Sequence, residues 1–330
     1  MSNDYKEIIN DLSKRQMDVA FLSSEDSPCV VSDWLSSGCL VLDRILGGGF
    51  PVGRITEIYG DTSTGKSLIA AQIAALAQED DHIVFMIDTE SAVSLPIMEA
   101  VGVDIDNLIY SAPDTVEEVF EQFDAAIEAK NKHYPDKLLL VIWDSVAATS
   151  ALSEMDDSYG KTGYLTHARV ISQAMRKITR KITKNKVCAV FLNQTRENIG
   201  VTFGDKETTF GGKAIAFHSS VRIRLKLGSK IKSKKKIIGL DTLATIVKNK
   251  VAEPFFEAKL PIYFGHGIDD ALASYYWLDA NDEFEGASWK TIVLDGKKLK
   301  FQKAGWRKIF DEHFDEIADI IMEGVDDIDS

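Results

Sequence analysis

The residues with the clearest chemical purpose form the glycine-rich stretch Gly60–Ser67, GDTSTGKS. Its spacing is that of a phosphate-binding loop, in which backbone N–H groups and a helix N-terminus hold phosphate oxygens. Lys66 is expected to reach the β- and γ-phosphates, and the Ser67 hydroxyl to coordinate Mg²⁺. The sequence therefore predicts a P-loop NTPase. The residues expected to contact the nucleotide here are Gly60, Asp61, Thr62, Ser63, Thr64, Gly65, Lys66, Ser67 and Leu68.

Three further polar residues lie where predicted strands end. Asp144 closes LLLVIWD and is expected to hold the Mg²⁺ shell, although a strand-end aspartate can also cap a helix. Glu90 follows the strand 82–88 and is a candidate to activate water, the alternative being a solvated loop glutamate. Gln194 ends the strand 187–193 and could hydrogen-bond a γ-phosphate without titrating.

The elements that must position these residues alternate between strand and helix. Apolar runs predict buried strands, and Ile171, Met175, Ile178 and Ile182 mark one face of a helix over 165–184. This alternation predicts an α/β domain with a mostly parallel sheet flanked by helices. The predicted strands are 55–60, 82–88, 138–144, 187–193, 221–227 and 243–249.

The ends of the chain differ in pattern from its centre. We predict an N-terminal helix-strand arm over 1–30, an ATPase core over 31–268 and a small α+β C-terminal lobe over 269–330. Tyr5, Ile8, Ile9 and Leu12 recur at helical spacing, and residues 18–22 are predicted to form the short strand of the arm.

The net charge of −13 argues at first against a nucleic-acid partner, but the charges are segregated. The last 20 residues hold nine acidic side chains and no Lys or Arg, whereas KIKSKKK at 230–236 holds five lysines. Three cysteines without a CxxC pair indicate reduced core residues. No signal peptide or membrane span is predicted, so we expect a cytoplasmic protein.

Several longer motifs resemble those of the bacterial RecA recombinase family. They are VLDRILGGGFPVGRITEIYG, QAMRK (173–177), LNQTRENIG (192–200), GDKETTFGG (204–212) and IVKNKVAEPF (246–255), spread over residues 34–268. The resemblance implies an ATP- and Mg²⁺-dependent DNA recombinase, either bacterial or encoded by a phage. Such a protein would form a filament on single-stranded DNA, pair it with homologous duplex in recombination and repair, and hydrolyse ATP in a DNA-stimulated manner.

The resemblance also implies roles for individual residues. Glu90 matches the catalytic glutamate, Gln194 the γ-phosphate sensor, and Lys248 and Lys250 the lysines that reach the ATP of a neighbouring protomer. Phe264 is expected to supply a ring to the adenine from the neighbouring subunit. The aspartate and tyrosine that the family places around adenine are here Ser94 and Ile97, and Phe217 matches an interface position.

Two loops are implied to bind DNA, one over 155–164 and one over 196–209. Readout by such loops would use backbone contacts and base stacking, and so would be independent of sequence. The residues implied to contact DNA are Tyr164, Arg169, Ser172, Arg176, Arg196, Ile199, Phe203, Thr208, Thr209, Gly211, Gly212 and Lys213.

Two other functions would retain much of this pattern. One is a ring-forming ATPase of the helicase, KaiC-like or RadA-like type, which would need no ETTFGG loop and, in the RadA-like branch, would carry a zinc motif. The other is a recombination mediator without strand exchange, which could lose Glu90 or the loops.

Overall fold

The computed structural model describes residues 6–15, 19, 21–22, 27, 29–31, 33–152, 164–197 and 207–325. Its strands are β1 (Trp34–Leu35), β2 (Phe50–Pro51), β3 (Ile55–Gly60), β4 (Ile83–Asp88), β5 (Ile109–Ser111), β6 (Leu139–Asp144), β7 (Val187–Glu197), β8 (Glu207–Thr209), β9 (Val221–Ser233), β10 (Lys236–Asn249), β11 (Glu257–Tyr263), β12 (Gly267–Ile268), β13 (Lys290–Leu294) and β14 (Lys297–Phe301).

The helices alternate with these strands through most of the chain. They are α1 (Lys6–Lys14), α2 (Leu40–Leu46), α3 (Lys66–Glu79), α4 (Leu95–Val101), α5 (Val116–His133), α6 (Tyr164–Lys184), α7 (Lys213–His218), α8 (Asp270–Ala280), α9 (Trp306–Glu312) and α10 (Phe314–Met322). No helix within the described ranges is long and apolar enough to cross a bilayer.

The central sheet has the order β12-β11-β10-β9-β3-β7-β6-β4-β5, with β8 paired to β7. The pairs from β9 through β3, β7, β6 and β4 to β5 are parallel, whereas β9 to β12 form an antiparallel meander. This confirms the predicted α/β class with a mostly parallel sheet flanked by helices. The runs predicted at 221–227 and 243–249 are parts of two longer strands, β9 and β10, which pair as one hairpin.

Both faces of the parallel part are covered, which explains why its strands are continuous apolar runs. In β6, Leu140 and Ile142 pack into the cluster that contains α3, whereas Val141 and Trp143 pack into the cluster formed with α5 and α6. All four side chains are fully buried. Trp143 meets Phe191 of β7 edge to face, with ring centroids 5.3 Å apart.

The predicted face of α6 is the face that the sheet covers. Ile171, Met175, Ile178 and Ile182 are at most 2% exposed. Full burial of one such side chain contributes roughly 1.5–3 kcal/mol relative to leaving it exposed. The amphipathic pattern in the sequence therefore fixes the rotation of α6 about its own axis, and with it the residues that face outward.

The segment after residue 268 has its own hairpin and helices but shares the core. Trp306 of α9 is buried and donates its indole N–H to the carbonyl of Ala271 in α8 at 2.6 Å. Ile317 and Ile321 of α10 belong to the same apolar cluster as α2 and α3. The boundary at residue 268 stays a prediction.

At the other end of the chain, α1 confirms a helix in the arm. Its apolar residues Ile8, Ile9 and Leu12 lie on one face, yet no residue of α1 is buried. The predicted strand at 18–22 falls mostly outside the described residues; of its positions, Val19, Phe21 and Leu22 are described and are not in a strand.

A buried carboxyl joins α2 to α8. The Asp270 carboxylate accepts a hydrogen bond from the Leu40 N–H at 2.9 Å. Burial raises the pKa of Asp270 to about 6, well above the value of an exposed aspartate. The Asp270 carboxyl ionises more readily in the unfolded chain, where its pKa is about 4. The free energy of unfolding therefore falls as the pH rises from about 4 to about 6, and it stays lowered above pH 6.

Asp270→Asn should therefore raise the free energy of unfolding at pH 7 by about 1–2 kcal/mol, because the amide oxygen can still accept the Leu40 N–H without carrying a charge. Urea unfolding at pH 4, 6 and 7.5 would measure this, and the gain should vanish at pH 4. Asp311→Asn on an exposed helix face is the control. A variant that is less stable than wild type at pH 7.5 would contradict the argument.

Candidate functional site

The phosphate-binding loop connects β3 to α3 and is compact. Lys66 Nζ donates to the carbonyls of Gly60 at 2.9 Å and Asp61 at 2.7 Å, so its ammonium curls over the loop. Gly65 caps α3 with φ of 96°, and a Cβ there would come within 2.5 Å of the Ile262 side chain. A side chain at this position would be both strained and obstructed.

A hydroxyl and a carboxylate meet beside this loop. Ser67 Oγ donates to Asp144 Oδ2 at 2.7 Å. Burial, helped by the nearby charges of Glu90 and Asp88, raises the pKa of Asp144 to about 6 against the opposing effects of the Ser67 hydrogen bond and Lys66. A cation at this position would relieve the buried negative charge, and both oxygens suit Mg²⁺.

The described residues contain no cluster of three or more His, Cys, Asp or Glu side chains that could hold a metal by themselves. Mg²⁺ usually takes one or two protein oxygens and fills its other positions with water and substrate phosphate oxygens. Ser67 and Asp144 fit that pattern, and these are the two residues predicted to hold the metal.

Glu90 lies at the same sheet edge. The Ser145 hydroxyl donates to Glu90 Oε1 at 2.6 Å, and the Gln194 side-chain amide donates to the same oxygen at 3.1 Å. The register explains this meeting, because Asp88 pairs with Asp144 and Gly60 pairs with Gln194. The structure thus brings the predicted metal residues, the predicted base and the predicted sensor together.

Sequence reasoning missed the residue that shapes the Glu90 loop. Asp88 is 2% exposed, and its carboxylate accepts the backbone N–H groups of Glu90, Ala92 and Val93 at 2.9–3.1 Å. The Tyr110 hydroxyl donates to it at 3.1 Å. An aspartate that ends an apolar strand two residues before a candidate base was the available signal.

The loop opens into a cleft of about 530 Å³. That volume is within the range of small-molecule sites. Leu68, Ser94, Ile97 and Phe264 line it together with the loop residues. Phe264 therefore belongs to the chain's own cleft, where the short connection after β11 places it. Its predicted contact with the adenine of a neighbouring subunit stays a prediction.

A larger cleft of about 1010 Å³ lies between β5 and α5 and includes none of the loop residues. Its lining includes the Lys137–Asp81 ion pair, with Nζ and Oδ1 2.6 Å apart. The residues predicted to hold the metal and to activate water line the smaller cleft instead.

Lys248 and Lys250 lie at the opposite end of the sheet. Lys248 pairs with Arg222 and, through it, with Glu57, three residues before Gly60 in β3. Along the strand direction, the backbone of Lys248 therefore lies roughly 10 Å from Gly60, where the phosphate-binding loop begins. Lys248 Nζ donates to the carbonyls at the end of α7, those of Ala216, Phe217 and Ser219, at 2.6–3.0 Å.

Burial and the neighbouring Lys250 and Arg222 lower the pKa of Lys248 to about 8. The Lys250 ammonium lies 5.8 Å from the centre of the exposed Phe217 ring. Neither lysine contributes to the chain's own cleft.

Most residues predicted to contact DNA lie on or beside α6 and α7. Arg169, Ser172 and Arg176 follow one another at i, i+3 and i+7 on α6, where the two arginines are exposed and Ser172 is half-buried at the flank of the buried stripe. Gly211 and Gly212 precede α7 and pack against α6: a Cβ on Gly211 would lie 3.1 Å from the Ile171 side chain. Lys213 begins α7 and is exposed.

The second predicted DNA loop rises from the β7–β8 pair. Arg196 pairs with Thr208, and Thr195 with Thr209, so the two stems of the loop are side by side. The Arg196 guanidinium lies 5.6 Å from the Phe210 ring centre. Ile199, Phe203 and most of the first loop fall outside the described residues, as does the side chain of Tyr164.

Strand β7 connects these stems to the nucleotide cleft. The Thr195 hydroxyl donates to the Asp61 carboxylate in the phosphate-binding loop. Asn193 donates to the buried Glu57 at 2.9 Å and to the Phe210 carbonyl at 3.0 Å. The side chains of three consecutive residues therefore make three different contacts. Asn193 contacts the foot of the second DNA loop, Gln194 contacts the candidate general base Glu90, and Thr195 contacts the phosphate-binding loop.

Comparison with known proteins identifies the family to which the chain belongs. A family model described as the RecA N-terminal domain matches residues 5–269. The chain belongs to the RecA family. It is 43% identical over 237 residues to Protein RecA of Clostridioides difficile, a match that covers 72% of this chain and 66% of the relative. It is 35% identical over 296 residues to Protein RecA of Colwellia psychrerythraea, covering 89% and 84%.

A third RecA relative, from Limosilactobacillus reuteri, is 43% identical over 235 residues, and the match covers 71% of this chain and 63% of the relative. The match to this relative and to that of Clostridioides difficile thus spans slightly less than two thirds of each relative. The RecA family model ends at residue 269, one residue after β12 and where α8 begins.

Glu90→Gln should separate binding from hydrolysis in this RecA-family chain. The amide oxygen can still accept the Ser145 and Gln194 hydrogen bonds, but it cannot take a proton from water. We expect nucleoside triphosphate hydrolysis to fall at least about 100-fold while nucleotide affinity changes less than about threefold. Phosphate release and equilibrium binding would measure the two effects. Glu99→Gln on α4 is the matched control, and a variant that keeps its turnover would exclude Glu90 as the base.

Proposed function

We propose that this protein is an ATP-dependent DNA recombinase that coats single-stranded DNA as a filament, pairs it with homologous duplex and hydrolyses ATP in a DNA-stimulated manner. The observation that carries this proposal is the course of β7. One strand presents Gln194 to Glu90 and, from the next residue on, pairs with β8 in the stem of the second DNA loop. DNA held at that stem can therefore alter the position of Gln194.

At the nucleotide, each residue has a separate task. The loop N–H groups and Lys66 would bind the β- and γ-phosphates, and Ser67 and Asp144 would hold Mg²⁺, which when bound would neutralise charge on the phosphate oxygens. Glu90 orients a water and accepts its proton at Oε2, since Oε1 already receives Ser145 and Gln194. Gln194 then exchanges its Glu90 contact for a γ-phosphate oxygen when ATP is bound.

At the DNA, the exposed arginines of α6 and the residues at the start of α7 form a basic surface. Arg169, Arg176 and Lys213 are exposed there, and the glycines before α7 let backbone N–H groups approach phosphates. Contacts of this kind fix position on the backbone without reading sequence. Homology would then be tested by base pairing between the two DNA molecules.

The polarity of the sheet supports head-to-tail assembly. The nucleotide lies at the carboxyl end of β3, and Lys248 and Lys250 lie at the opposite end. Stacking protomers in one direction brings these lysines over the next protomer's nucleotide, where they supply positive charge to the phosphates. ATP then lies between protomers, and hydrolysis depends on assembly.

The N-terminal helix supports the same assembly. An amphipathic helix gains little stability in water unless its apolar face is covered. None of α1 is buried on its own chain, so its Ile8–Leu12 face is available to a neighbouring core. We place the protein where its DNA is, in the bacterial cytoplasm, or in that of an infected host if a phage encodes it.

The proposal predicts that single-stranded DNA stimulates ATP hydrolysis and that salt reduces the stimulation. Arg176→Ala should weaken DNA affinity about tenfold and reduce the salt dependence by about one ion, because one phosphate contact is lost. Lys132→Ala on α5 is the control. Equal turnover with and without DNA would instead favour a ring ATPase that serves another partner.

Mixing two inactive variants tests the shared site. A Lys250→Met protomer has an intact Glu90 in its own site but supplies no Lys250 to its neighbour's site. A Glu90→Gln protomer lacks the base in its own site but still supplies Lys250 to its neighbour. An equimolar mixture should recover about a quarter of wild-type hydrolysis, because half of the protomers have an active loop and half of those have an active neighbour. Full activity of Lys250→Met alone, or no recovery on mixing, would contradict a site built from two protomers.

A further inference from the structure

The cleft extends beyond the phosphate-binding loop into a second, apolar compartment. Thr242 Oγ1 donates to the Thr64 carbonyl at 3.0 Å, so β10 runs directly beneath the loop. Farther along the same strands, Leu240, Ile237 and Phe264 line the cleft opposite Ile97 of α4. Phe264 and Ile97 are 47% and 45% exposed, which is high for large apolar side chains in a concavity. Such a compartment suits the flat face of a nucleobase.

One ammonium group lies in this compartment. Lys230 of β9 lines the cleft and pairs with Leu240, which in turn pairs with Ile262 of β11. Residues directly opposite on adjacent strands share a face of the sheet. Ile262 lies against Gly65, so Lys230, Leu240 and Ile262 form a row that faces the phosphate-binding loop. The β9–β10 hairpin is therefore what brings Lys230 to the nucleotide.

The polar side chains of the compartment offer hydrogen-bond donors and no carboxylate. Among the described residues that line it, Ser94 and Lys230 carry polar side-chain atoms, whereas Ile97, Ile237, Leu240 and Phe264 do not. An ammonium donates and cannot accept. On the edge that includes N7, guanine presents two acceptors, N7 and O6, whereas adenine presents the N7 acceptor beside an amino donor. The Lys230 ammonium matches the guanine edge and is mismatched to the adenine amino group.

We propose that Lys230 is the residue that determines base specificity in this cleft, and that it makes guanine nucleotides bind at least as tightly as adenine nucleotides. The inference rests on the nucleotide-binding role proposed above and extends its substrate class to GTP. Ser94, whose hydroxyl can donate or accept, serves either base.

Competition binding tests the proposal directly. ADP and GDP would displace fluorescent N-methylanthraniloyl-ADP from the full chain in Mg²⁺ buffer without DNA, using wild type, Lys230→Met and Lys232→Met. Methionine keeps the length of the lysine stem and removes its charge. Lys232 lies on the same hairpin but does not line the cleft, so its variant controls for the general loss of charge.

For wild type we expect a GDP dissociation constant no larger than that of ADP. Lys230→Met should weaken GDP about tenfold, since a charge-assisted hydrogen bond is lost, and weaken ADP less than about threefold. Lys232→Met should match wild type. Tenfold tighter ADP than GDP in wild type would overturn the proposal, and so would equal weakening of both ligands, which would place Lys230 at the phosphates.

DNA-stimulated ATP hydrolysis by the wild type, measured in parallel, tests the recombinase function separately from the role of Lys230 in base specificity. Stimulated hydrolysis without a Lys230-dependent change in base preference would refute the specificity role and leave the recombinase function standing. If neither ADP nor GDP displaced the probe, both would fail.

Discussion

The parallel pairing of β3, β7, β6 and β4 is the constraint on which the rest of the molecule depends. Their carboxyl ends lie side by side because the backbone hydrogen bonds lock Gly60 to Gln194 and Asp88 to Asp144. A slip of one residue in any pair would move every side chain of that strand to the opposite face. Apolar side chains on both faces prevent such a slip, and the polar residues just beyond the strand ends are therefore held in place by the core beneath them.

The same sheet gives the protomer a direction. Its carboxyl edge holds the phosphate-binding loop, the metal residues and the base, whereas its other end holds Lys248 and Lys250. The antiparallel meander β9–β12 makes this possible, since β10 turns back and carries the lysines away from the loop under which it passes. In the proposed filament, Lys248 and Lys250 of one protomer complete the nucleotide site of the protomer stacked on it.

Hydrogen bonds link the nucleotide cleft to the stem of the predicted second DNA loop within one protomer. Asn193, Gln194 and Thr195 connect the core, Glu90 and the phosphate-binding loop to the stem from which the second DNA loop rises. Because Asn193 is fully buried and shares Glu57 with Arg222, the network also reaches the strand beside Lys248. In the proposed function, these contacts on adjacent strands would couple movement of Gln194 to the DNA surface and to the protomer interface.

The sequence by itself determined the elements and most of the chemistry. The GDTSTGKS spacing, the apolar runs and the stripe on α6 depend on local order and periodicity, which a sequence contains in full, and the structure has them as predicted. The longer motifs likewise indicated the family. What the sequence did not contain was which strand ends are neighbours, because that depends on pairing between distant residues, such as Gly60 with Gln194 and Thr56 with Val221.

Only the tertiary structure showed that Asp88 and Ser145 organise Glu90, that Phe264 lines its own chain's cleft, and that Lys230 comes to lie beside the base compartment. Each of these follows from strands brought together across the sheet. Lys230 illustrates the reason most clearly: in the sequence it is one lysine among five in KIKSKKK, and its place opposite Leu240, in the row that faces the phosphate-binding loop, depends on a cross-strand register that no local pattern specifies.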